Sequence, residues 1–151
     1  MSSRTSVLPT RECRALDGTS RQVDASFEKG DILIIAECKA IAQSLGYARG
    51  DATAQKYRMD KLSEAFAQVD DKAQWLAARP VGRNYRVGSH IRWICPLVVT
   101  PFTEFMPSLD QKLWLHVLRE ARVMKPSELL EALKSGEIFT HDCLNMVPVA
   151  P

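Results

Sequence analysis

The chain has 151 residues, 46% of them hydrophobic and 25% charged, enough apolar content for one globular core. It has no run of about 18 apolar residues for a membrane span, and its opening MSSRTSVLPT lacks the apolar core of a signal peptide, so a cytoplasmic protein with no membrane partner is expected. A net charge of +2 is too small to mark a nucleic-acid binder, but residues 1–95 hold 15 Lys and Arg against 11 Asp and Glu, so positive charge leans toward the N-terminal two thirds.

Residues 1–10 are polar and expected to be irregular, and residues 11–16 read as a short strand before the Asp17-Gly18 turn signal. Residues 21–40, RQVDASFEKGDILIIAECKA, read as two strands joined by a tight turn at Lys29-Gly30. In the second, Ile32, Leu33, Ile34 and Ile35 form an unbroken apolar run that predicts a strand covered on both faces, at the centre of a sheet. Residues 41–50 lead to a long helix capped by Asp51, on which Met59, Leu62, Phe66, Val69, Ala73 and Leu76 step by three or four residues as one apolar stripe. Pro80 ends it. Residues 79–92 carry Arg79, Arg83, Arg86 and Arg92 without an acidic residue and read as a loop or hairpin. A strand follows over residues 91–99, where Pro96 implies an edge or a bulge. Residues 109–121 fit a helix or a strand plus turn. Residues 122–124 read as a short strand, and a helix runs from Pro126 to about Gly136, before an irregular tail over 137–151. This order predicts a single α/β domain over 1–151, a central mixed sheet flanked by helices.

Chemistry concentrates at the end of the apolar strand. Side chains two apart share a face, so Glu37 and Lys39 project together while Cys38 points away. A carboxylate and an ammonium at the end of a buried strand are costly and need a reason. Folding back about Lys29-Gly30 brings Asp24 beside them. Two carboxylates and a backbone carbonyl can hold Mg²⁺ or Mn²⁺ through oxygen, and a neighbouring lysine can orient water or stabilise a pentavalent phosphate. Cys13, Cys38, Cys95 and Cys143 form no CxxC pair, so reduced and mostly buried thiols are expected rather than a zinc site. His90, His116 and His141 share no ligand spacing, and Trp75, Trp93 and Trp114 are expected to pack the core.

Asp24, twelve residues, then Glu37-Cys38-Lys39 at the end of an apolar strand resembles the motif of the PD-(D/E)XK nucleases, the restriction-endonuclease-like superfamily. The resemblance covers about residues 21–76 and, more loosely, the later strand and the KPSELLEAL helix. It implies a metal-dependent endonuclease acting on DNA, with Mg²⁺ or Mn²⁺ held by Asp24, Glu37 and the Cys38 carbonyl, and with Lys39 as catalytic lysine. Members often place a polar residue in the following helix near the site, which implies a catalytic role for Gln55, with Arg58 the neighbouring candidate for nucleic-acid contact. Arg79, Arg83 and Arg86 are the further candidates for DNA contact. Val23 stands where the motif's name has proline. Members usually begin with a helix that often carries an acidic residue. The ten polar residues here cannot make one and Glu12 substitutes only partly, so a minimal version of the fold, or a helix supplied by a partner chain or another segment, is expected. A homodimer is implied by resemblance alone. The alternative is a noncatalytic nucleic-acid-binding or assembly subunit that keeps the fold.

Overall fold

A run of β-branched and apolar residues is stable as a strand when both its faces are covered. In the computed structural model, which describes residues 8–9, 12–42, 44–104 and 108–151, that run forms β4 (Ile32–Cys38), buried from Ile32 through Glu37. Its partner β3 (Ala25–Lys29) is antiparallel, joined through a turn in which Gly30 has φ 58°, a left-handed conformation open to glycine without a Cβ clash. Before them, β1 (Glu12–Arg14) and β2 (Ser20–Gln22) form a separate antiparallel hairpin.

Beyond β4, one helical turn, α1 (Leu45–Ala48), leads into α2 (Ala52–Ala78), whose first turn is capped by the Asp51 carboxylate accepting from the Ala54 N–H at 2.8 Å. β5 (Trp93–Val99) runs parallel to β4. A 3₁₀ turn at Gln111–Leu113 precedes a small hairpin of β6 (Trp114–His116) and β7 (Glu120–Ala121). β8 (Val123–Met124) then runs parallel to β5, α3 (Pro126–Ser135) follows, and β9 (Val147–Pro148) pairs antiparallel with β5. The protein is α/β, with an open mixed sheet of five strands in the order β3-β4-β5-β8 and β9 beside β5.

Strand alternation divides the core. Leu33, Ile35, Ile94, Val98 and Val123 pack with Leu62, Phe66, Val69, Ala73 and Leu76 of α2, whereas Ile32, Ile34, Ala36, Cys95, Leu97 and Met124 pack with Leu129 and Ala132 of α3. Each fully buried aliphatic side chain contributes about 1.5–3 kcal/mol. Among the described residues no helix is long and apolar enough to cross a membrane.

Four expectations change. The first strand of the hairpin is interrupted at Val23 and Asp24, so β2 belongs with β1 rather than with β4. Pro96 lies in an interior strand and not on an edge. It is accommodated between the stretch of β5 that pairs with β9, at 93–94, and the stretch that pairs with β8, at 98–99, where neither neighbour has a residue opposite. Residues 109–121 take the strand-plus-turn form, after a 3₁₀ turn. The tail is not wholly irregular: it supplies β9 and buries Phe139 and Cys143 against the α3 side of the sheet.

Candidate active site

Glu37 continues the set Leu33 and Ile35 on the α2 face of β4, the last inward position before the strand ends. At 5% exposure its carboxylate needs compensation, and two ammonium groups supply it. Lys72 of α2 donates to Oε2, and the Lys39 Nζ lies 3.2 Å from Oε1. Lys72 is the inner of the two, with 15% of its side chain exposed against 33% for Lys39.

Asp24 occupies the bend between β2 and β3. The β3–β4 register ends at Ala25 opposite Ala36, which leaves Asp24 at the bend beside the last residues of β4. Its Oδ2 accepts from the Cys38 N–H at 2.8 Å and its Oδ1 from the Gln22 side-chain amide at 3.2 Å. The carboxylate thereby takes an amide at the strand end that the β3 ladder does not reach. The Cys38 thiol is exposed, and its pKa is raised, first by partial desolvation and then by the charges of Asp24 and Glu37, with Lys72 opposing. A thiol held protonated is a poor metal ligand or nucleophile, which leaves the backbone carbonyl as the group Cys38 can offer.

Glu37, Lys39 and Lys72 therefore form one ion-paired group, and Asp24 reaches the backbone amide of the next residue of the strand. Among the described residues no three His, Cys, Asp or Glu side chains gather as a metal-holding group. By donor type alone, the carboxylates of Asp24 and Glu37 suit a hard divalent cation, since Mg²⁺ is commonly held by one or two carboxylates and keeps several waters; both Glu37 oxygens here are held by lysine ammonium groups.

Other candidates lie elsewhere. Gln55 lines a separate cavity of about 140 Å³ with Tyr47, Lys56 and Arg58. It stands seventeen residues before Lys72 on α2, about 25 Å of helix axis away, so the structure does not bring it to Glu37. Arg58 is 2% exposed and committed: its guanidinium pairs with both oxygens of Glu104, donates to the Ile41 and Ala42 carbonyls at 3.1 and 3.0 Å, and lies over the rings of Tyr47 and Phe102. It ties down the segment after β4, and no donor face remains for a nucleic-acid backbone. Arg79 pairs with Asp17 at 2.6 Å and lies against Trp75. Arg83 and Arg86 are exposed. Their loop ends with the Arg92 N–H on the carbonyl of Asp31, just before β4 and about 20 Å along the strand from Glu37.

Lys72 is the member of the cluster that sequence reasoning missed. A signal was present: it lies three residues after Val69 and four before Leu76, so a charge falls on the flank of the core-facing stripe, where it needs a buried partner. No family model, curated protein or solved structure matches the chain.

Proposed function

We propose that this protein is a metal-dependent nuclease that hydrolyses phosphodiester bonds in DNA, with Mg²⁺ or Mn²⁺ as cofactor, on a restriction-endonuclease-like fold. What supports this reading is a buried Glu37 paired with Lys39 at the end of a central strand of a mixed sheet, with the Asp24 carboxylate on the amide of the next residue, Cys38. Asp24 and Glu37 would hold the metal, with the Cys38 carbonyl beside them. When bound, the metal supplies polarisation of the phosphate and makes water more acidic.

The remaining work falls to side chains of this chain. Water, giving up a proton to solvent, attacks phosphorus in line, the bond from phosphorus to the leaving sugar oxygen breaks and that oxygen takes a proton from solvent, and negative charge grows on the phosphate oxygens in the transition state. Lys39, the more exposed of the two ammonium groups, orients the attacking water or donates to those oxygens, an interaction strongest in the transition state. Asp24, braced by the Cys38 amide, keeps its carboxylate in one orientation.

The test is cleavage and metal titration on purified wild type, Lys39→Ala and Asp24→Ala. Lys39→Ala is expected to bind metal and to lose cleavage by about 10²–10³-fold, the ordinary cost of removing one transition-state donor. Asp24→Ala is expected to lose both. A wild type that cuts no DNA or RNA with either metal, yet binds DNA, would make the noncatalytic subunit the better reading.

A further inference from the structure

We infer that the site takes up its metal and a phosphodiester together, with Lys72 as the group that couples them; this rests on the nuclease reading above. Asp24 and Glu37 bring two negative charges, and Lys39 and Lys72 bring two positive ones. A divalent cation therefore meets a locally neutral cluster and gains little net attraction from it. To reach Glu37 it must also displace the Lys72 ammonium from Oε2. That ammonium is only 15% exposed, so leaving it unpaired is costly.

Lys72 cannot be carried away by a shift of its helix without breaking other pairs. The two residues before it fasten α2: Asp70 holds the fully buried Arg122, and Asp71 holds Arg21 of β2 at 2.7 Å. The displaced ammonium stays within a lysine's reach of the cluster and needs an anion there. A phosphodiester monoanion is such a group. Metal bound without it leaves the cluster with two excess positive charges, and phosphate bound without the metal finds Lys72 already occupied by Glu37. Each ligand thus removes the obstacle to the other, and the coupling is reciprocal.

The experiment measures Mn²⁺ binding to the full chain by electron paramagnetic resonance of the free ion. It is run with and without a phosphorothioate-linked DNA duplex, which keeps the backbone charge and resists hydrolysis. Glu37→Gln with the same duplex sets the baseline for ions held by the DNA itself. Wild type is expected to bind Mn²⁺ at least about fivefold more tightly with the duplex, the lower end of ordinary coupling. Lys72→Met is expected to bind Mn²⁺ more tightly than wild type without DNA and to lose most of the coupling. Lys72→Gln, which keeps a hydrogen-bond donor for Glu37, is expected to do the same and stands in if the methionine variant unfolds. Equal wild-type affinity with and without the duplex, or coupling that persists in both Lys72 variants, overturns the inference while leaving the nuclease reading intact. Mn²⁺ binding no better than the Glu37→Gln baseline in every arm overturns both.

Discussion

At Arg58 the guanidinium is held by Glu104, two carbonyls and two rings. Removing it as Arg58→Ala leaves a Glu104 carboxylate with 1% of its side chain exposed and without its ion pair. The expected loss is about 3–5 kcal/mol, the cost of breaking a buried pair from one side, read from urea unfolding; a loss below about 1 kcal/mol, the range of an exposed pair, would show that water reaches Glu104. The same residue shows why its sequence reading went astray. Helical spacing located Arg58 on the buried side of α2, but nothing local reveals a carboxylate 46 positions later. The pairing of Glu37 with Lys39 and the return of Asp24 to the end of β4 were legible because they follow from local rules: a period of two along one strand and one tight turn. Lys72, 35 residues from Glu37, depends on how α2 crosses the sheet, which periodicity does not determine.

Elements are held in place here by charges at their margins as well as by apolar faces. Three consecutive residues of α2 fasten it to three places: Asp70 to Arg122 before β8, Asp71 to Arg21 in β2, and Lys72 to Glu37 in β4. Long, strongly patterned elements were readable from sequence, as β4 and α2 show. The break after β2 was not, because Asp24 replaces ladder hydrogen bonds with side-chain ones. Nor was β9, whose two residues carry no pattern of their own and are set by β5. The loop after α2 has one tight point. A Cβ added at Gly82 would lie 2.0 Å from Tyr85 Cε1 and 2.5 Å from the Arg14 carbonyl oxygen, where the loop bridges to Ala15. Gly82→Ala is therefore expected to cost about 1–3 kcal/mol, as overpacking does, and to increase amide exchange at Arg83, whose N–H bonds the Arg14 carbonyl. Unchanged stability and exchange would mean that the loop is free to move away from β1.

Across the whole molecule, pairing leaves the positive surplus of residues 1–95 in place: Arg14, Arg21 and Arg79 pair with acids of the same stretch, and Arg58 with Glu104 is balanced by Asp70 with Arg122. Arg83 and Arg86 are exposed. Changing these two to alanine is expected to weaken DNA binding across sequences and to reduce the salt slope by about one for each phosphate left without its arginine. An unchanged slope would assign the loop to solvent. Arg79→Ala is the contrast, because it removes the pair with Asp17 and is expected to loosen the β1–β2 hairpin. Glu37 is the centre of the molecule's proposed chemistry, joining the strand to both lysines at the carboxylate where the metal is proposed to bind. The most direct measurement is relaxation of supercoiled plasmid DNA in Mg²⁺ and in Mn²⁺ by wild type and by Glu37→Gln, which keeps the side chain's shape and removes its charge. Cleavage by wild type that disappears on adding a chelator and is absent from Glu37→Gln is the expected result; equal cleavage by both proteins would contradict the assignment of the site.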